Sequence, residues 1–165
     1  MVRDMLPPDS EKILEIYRMG IETRNATFET IVPSWQEWNE RHLSHSRFVS
    51  EENGIVTGWA ALSPFSTREV YRGVAEVSVY VAEGFRGRNT GSDLMEKIII
   101  SSESNGIWTL VSSVFPENAA TLKLHAKFGF RIIGRRERIA QLDGIWRDTI
   151  LLERRSSVSF NEYDS

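Results

Sequence analysis

The chain has 165 residues, 41% of them hydrophobic and 26% charged, with a formal net charge of −3. That fits one domain with a substantial core, and it argues against a general nucleic-acid-binding surface. The absence of cysteine excludes disulfides and thiolate metal sites, and no run is long and apolar enough to span a membrane, so a cytoplasmic protein without nucleic-acid or membrane partners is expected.

Pro7 and Pro8 stop any preceding strand, and Asp9 or Ser10 is placed to cap the helix that follows. Ile13, Ile16, Tyr17, Gly20 and Ile21 recur at helical spacing. NATFETIVP reads as a loop. Ser34 is placed to cap a second helix running to about His45, with Trp35, Trp38 and Leu43 as its apolar members and His42 and His45 facing solvent. With His125 these histidines form no metal-binding signature, so no metal is expected. The apolar runs around Asn53-Gly54 predict a hairpin, with Trp59 in the core. After the polar loop FSTREVYRG, VAEVSVYVA reads as a strand. Leu94, Met95, Ile98 and Ile99 stripe the next helix, which stops near Asn105-Gly106. IWTLVSSVF is another strand, PENAATLKLHAKFGF a helix stopped by Gly129, and Asp143-Gly144 turns a second hairpin. Residues 1–154 are expected to form a single domain, with 155–165 as a polar tail. The order of elements predicts an α/β fold of α+β type: a mixed, mostly antiparallel sheet flanked by helices.

Arg86-Gly87-Arg88-Asn89-Thr90-Gly91 lies between a buried strand and an amphipathic helix. The first N–H groups of a helix lack internal partners and, with the helix dipole, favour anions. Glycines let an anion approach the backbone, and arginines add directed donors. The stretch is neither a P-loop, lacking Gly-Lys-Ser/Thr, nor a dinucleotide fingerprint, lacking the G-x-G-x-x-G spacing.

EVSVYVAEGFRGRNTGSDLMEK followed by ENAATLKLHAKFGF resembles the GNAT superfamily of N-acetyltransferases. Arg86 to Gly91 matches the family's Arg/Gln-x-x-Gly-x-Gly/Ala loop except at Asn89, where glycine is usual. Asn118 and Gly129-Phe130 match a second family motif. Ala75-Glu76-x-Ser78-Val79-Tyr80-Val81, Leu124-His125, ATFET and DGIWRDTILLE are similar to the phosphinothricin acetyltransferase branch. The similarity covers roughly Val2 to Glu153.

The resemblance implies acetyl-CoA as donor, its pyrophosphate on backbone amides from Gly87 to Ser92, flanked by Arg86 and Arg88. It implies that the pantetheine arm pairs with the backbone of Val79, Tyr80 and Val81, and that an amide at Tyr80 or Val81 polarises the thioester carbonyl. Asn118 joins the cofactor contacts. Amines with pKa values of about 8 to 10 are largely protonated near neutral pH, so a base is needed. Glu76 is the candidate, a mid-strand carboxylate that alternation puts on one face with Ser78 and Tyr80. His125 stands where many family members have the tyrosine that protonates the leaving thiolate; its role as acid, base or positioner is open. Phe28, Glu29, Tyr71 and Arg72 match loop positions near the family's substrate pocket, and Arg72 suits a carboxylate or phosphinate. The leading expectation is N-acetylation of an amino-acid-type acceptor such as phosphinothricin or methionine sulfoximine, by a homodimer. The alternatives are a protein N-terminus, polyamine or drug as acceptor, or a non-catalytic acyl-CoA-binding module.

Overall fold

A computed structural model describes residues 1–158. One sheet of seven strands runs through it, in the order β1 (Val2–Asp4), β2 (Phe48–Glu52), β3 (Ile55–Pro64), β4 (Val74–Val81), β5 (Thr109–Val114), β7 (Ile145–Arg155) and β6 (Arg131–Leu142). Every pairing is antiparallel except β4 with β5, which are joined by the crossover helix α3 (Thr90–Ser104). The expected mixed, mostly antiparallel sheet with flanking helices is therefore what forms.

Both hairpins turn where turn chemistry placed them. Asn53 and Gly54 have φ of 52° and 78°, and Asp143 and Gly144 have 53° and 77°, the left-handed pairs that match the twist of flanking strands. Alternation then gives the sheet two apolar faces. Leu62, Ala75, Val77 and Leu152 meet the Leu94–Met95–Ile98–Ile99 stripe of α3. On the other face Val49, Trp59 and Ala61 meet Ile13 and Ile16 of α1 (Ser10–Glu22) and Trp38 of α2 (Trp35–Arg41). Each such buried aliphatic side chain contributes roughly 1.5–3 kcal/mol. Gly20 has a specific use: a Cβ there would lie 2.5 Å from Tyr80 Cε1, so its absence lets α1 close over that ring.

Several local readings need correction. Asp9 does not cap α1 with its side chain; its carboxylate accepts from Leu6 N–H at 2.8 Å and pairs with Arg3, fastening β1 to the turn before α1. Ser34 does cap α2, in a capping box with Glu37. That helix stops at Arg41 rather than near His45. His42 turns extended, Leu43 N–H donates to Leu62 O at 2.8 Å, and Arg47 satisfies the carbonyls of Asn39, His42 and Leu43. Tertiary partners thus replace another helical turn. Helix α4 (Ala119–Lys127) starts after Asn118 and ends with Gly129 at φ 83°. Of the expected tail, Arg155 lies in β7, Ser156 is buried against Glu103, and residues 159–165 lie outside the described residues.

Candidate active site

Strands β4 and β5 pair only at Val74–Glu76 against Thr109–Val111. Beyond Glu76 they diverge into a fork. Ala82 N–H donates to Thr57 O at 2.8 Å. With the regular β3–β4 register, alternation turns the main-chain groups of Tyr80 towards β3 and those of Val77, Val79 and Val81 into the fork. Val79 and Val81 therefore carry the open edge, whereas the Tyr80 amide is committed to the sheet. Arg86 Nε, 3.4 Å from Val81 O, meets this edge. A cleft of about 1200 Å³ fills the fork and continues past Glu76 to α1 and α2.

The N-terminus of α3 closes one end of the cleft. Asn89 sits in the left-handed region at φ 66°, which explains why a residue tolerant of that backbone stands there. Its side chain makes no cap hydrogen bond. The first helical bond of the ladder runs from Asp93 N–H to Asn89 O at 2.9 Å, so the N–H groups of Thr90, Gly91 and Ser92 precede it. Gly87, at φ 80°, has open space where a Cβ would project. Arg88 turns away from the cleft, to Glu52 at 3.4 Å and the Phe85 ring. Lys127 of α4 donates to Ser92 Oγ at 3.0 Å, linking the two helices. Unpaired amides beside an open strand edge fit an anionic group carried on an extended, amide-bearing arm. Asn89→Val should cost about 1–2 kcal/mol in a thermal melt, and Asn89→Gly almost nothing, since only the first is strained at positive φ.

Helix α4 supplies the facing wall. Asn118 accepts from Thr121 N–H at 3.2 Å and donates to Asn25 O at 3.1 Å, so it both caps α4 and tethers the loop after α1. His125 is 4% exposed. Its Nδ1 lies 2.7 Å from Thr121 O, which can only accept, so Nδ1 carries the proton. Nε2 is consequently bare; it is sealed from solvent and has no hydrogen-bond partner among the described residues. Burial pushes the imidazole pKa below its usual value, which keeps the ring neutral. Phe130 packs edge-on against it at 4.7 Å.

Glu76 lies opposite Ser63 of β3, its side chain open to the cleft. Among the described residues no hydrogen bond or ion pair engages the carboxylate. The cleft walls desolvate it and push its pKa above the usual carboxylate range. A folded-state pKa above the unfolded one means stability falls as pH rises from the ordinary glutamate value through the raised one. Glu76→Gln should therefore melt at a higher temperature than wild type at pH 7. That advantage should vanish below the ordinary glutamate pKa, as melts across pH would show.

The remaining wall comes from α1, α2 and the loop between them. Tyr17 packs at 5.8 Å from Trp59 and 5.1 Å from Tyr80, and Phe28 sits edge-on to Phe115 at 4.9 Å. Glu29 and Arg41 face each other at 4.0 Å. His42 is not a solvent-facing helix residue: it stacks on Trp38 at 4.0 Å, donates from Nδ1 to Trp38 O at 2.6 Å, and lines the cleft. Burial lowers its pKa as well. Tyr71 and Arg72 are not brought into this cleft. Tyr71 rests on Phe65 and Arg68, and Arg72 lies over Trp108. Tyr17, Arg41 and His42 are lining residues without a sequence motif of their own; Tyr17 stood out only as a helix apolar position, and His42 only as a residue expected to face solvent.

Comparisons with known proteins converge on this architecture. A sequence model of the acetyltransferase (GNAT) family matches residues 11–130. The protein YwnH of Bacillus subtilis is 35% identical over 154 residues, which cover 90% of this chain and 94% of YwnH. A Pseudomonas aeruginosa L-methionine sulfoximine/L-methionine sulfone acetyltransferase is 29% identical, with 92% of each chain covered. The crystal structure of a GNAT superfamily phosphinothricin acetyltransferase from Sinorhizobium meliloti in complex with AcCoA superposes with a TM-score of 0.86. It is 28% identical, and the match covers 94% of this chain and 87% of that one.

Proposed function

Because the chain belongs to the acetyltransferase (GNAT) family, we propose that its fork is the seat of acetyl transfer to an amino-acid-type acceptor, with Glu76 as base. The protein is an acetyl-CoA-dependent N-acetyltransferase. The observation that carries the site assignment is the divergence of β4 and β5 at Glu76, which sets an unpaired carboxylate beside an open strand edge.

Acetyl-CoA supplies an acyl group activated as a thioester. The N–H groups of Thr90, Gly91 and Ser92, with Gly87 giving room and Arg86 giving charge, hold the pyrophosphate. Val79 and Val81 pair with the arm along the open edge, and a fork-facing N–H among them donates to the carbonyl oxygen as charge develops there. Glu76, directly or through water, takes a proton from the acceptor's ammonium group. The freed nitrogen bonds to the acyl carbon while the carbon–sulfur bond breaks; the nitrogen sheds its second proton to solvent as the amide forms, and the thiolate takes up a proton from solvent.

His125 is a positioning residue in this scheme. A neutral ring with its proton already engaged by Thr121 has none to give the leaving group. His125→Phe should change turnover by no more than about tenfold and leave the acid limb of the pH–rate profile in place, below the loss typical of a general acid or base. A missing limb would make the imidazole the titrating base.

Support for the acceptor class comes from the relatives that acetylate amino-acid analogues and from the opposed charges, Glu76 and Arg41, in one cleft. A thiol-release assay over amino acids, simple amines, polyamines and peptides tests it; highest kcat/KM on a peptide N-terminus or polyamine would overturn the class. We also read the protein as a cytoplasmic homodimer. Its use of acetyl-CoA supports the compartment, and the exposed Ile132, Ile139, Ile145 and Trp146 of the β6–β7 hairpin offer apolar surface to a second copy. Sedimentation as a monomer at micromolar concentration would overturn the dimer.

A further inference from the structure

The cleft's basic side chains fall into two groups. Arg86, Lys123 and Lys127 belong to the loop before α3 and to α4, the end assigned above to the pyrophosphate. Arg41 stands apart from them, at the last residue of α2. It shares the acceptor side with Glu76, Tyr17 and His42. The arginine expected there from sequence, Arg72, is occupied on the outside of the cleft, with its guanidinium 5.4 Å from the Trp108 ring centre and 3.8 Å from Glu69.

Arg41 is also held in a manner suited to exchange. Its nearest carboxylates are Glu37 at 3.5 Å, one helical turn back, and Glu29 at 4.0 Å across the cleft mouth. All three side chains keep about half their surface exposed, with 48% for Arg41, 51% for Glu29 and 56% for Glu37. Long, half-solvated pairs of this kind contribute about 0–1 kcal/mol, so an incoming anion displaces them at little cost. The guanidinium presents a planar fork of donors that matches a carboxylate or phosphinate. Tyr17, Glu29, Arg41 and Glu76 all line this one cleft.

We infer that Arg41, not Arg72, reads the acid group of the acceptor, so that the cleft holds a zwitterion between the guanidinium of Arg41 and the carboxylate of Glu76. The inference rests on the amino-acid acceptor class proposed above. Glu29 is then the resident counter-ion that the acceptor's acid group replaces. Selection follows: an acceptor with an amine but no acid leaves Arg41 on Glu29 and gains nothing from it, whereas an amino acid gains a charge-assisted pair.

The test compares an amino acid that the wild-type enzyme acetylates with its primary carboxamide, as a ratio of kcat/KM values. Arg41→Ala should lower this acid-over-amide ratio about 10- to 100-fold, the effect of losing a hydrogen bond to a charged group, mainly through KM for the acid. Arg41→Lys, which keeps the charge and loses the fork, should fall between wild type and Arg41→Ala. Arg72→Ala should leave the ratio within about twofold, since surface substitutions away from a site have small effects. An unchanged ratio in Arg41→Ala, or a ratio that collapses in Arg72→Ala, overturns the assignment while the acceptor class stands. A wild-type enzyme that releases thiol with simple amines but with no amino acid overturns the acceptor class, and this inference with it.

Discussion

Glu76→Gln should reduce turnover by about 100- to 10,000-fold near neutral pH, the range associated with loss of a general base. The substitution keeps size and polarity and removes only basicity. The wild-type rate should fall as pH drops through the raised pKa of Glu76, because protonation there disables the base. That acid limb should disappear in the variant. Its deficit should shrink towards high pH, where more of the acceptor arrives as free amine. Binding of acetyl-CoA, measured by calorimetry, should stay within about twofold, since no cofactor contact is assigned to this carboxylate and distant surface-type changes are small. Wild-type turnover from about pH 6 to 9.5, the span of amine titration, would remove Glu76 from the chemistry.

Gly91→Glu should weaken acetyl-CoA binding by about 100-fold or more. Two like charges about 4 Å apart at a protein surface repel by roughly 4 kcal/mol before screening, and each 1.4 kcal/mol is a factor of ten. A Cβ at this position would meet Leu124 Cδ2 at 3.4 Å and Val81 Cγ2 at 3.7 Å, ordinary contact distances. The unliganded variant should therefore melt within a few degrees of wild type, a difference of about 1 kcal/mol or less. Wild type should gain about 2.7 kcal/mol at a ligand concentration of 100 times Kd, and the variant far less. Equal affinities would move the pyrophosphate away from the N-terminus of α3.

Sequence legibility followed the range of the forces involved. The two hairpin turns, the stripe of α3 and the Gly129 stop depend on residues a few positions apart, and each formed where local chemistry placed it. The end of α2 did not, because Arg47 and Leu62, distant along the chain, take over its last carbonyls and the N–H of Leu43. Glu76, Asn118, His125 and most of the Arg86–Ser92 loop do line one cleft. The family motifs made these residues visible. Arg41 and His42 carry no motif, and only the docking of α2 on β3 brings them there. Arg72 shows the converse: its match to a loop position near the family's substrate pocket does not fix where its side chain turns, and it lies over Trp108, outside the cleft lining.

The division of labour in the fork bears on how such a protein can diverge. In the proposed scheme the donor is met chiefly by backbone groups, at Val79, Val81 and the first turn of α3, which almost any side chain there would still provide. The same scheme has the acceptor met by side chains, most of them borne on α1, α2 and their connecting loop, which line the cleft. Mutational drift in those helices can therefore retune acceptor choice while donor recognition is inherited intact with the sheet. Copies of one ancestral gene would keep their dependence on acetyl-CoA long after their acceptors had parted ways.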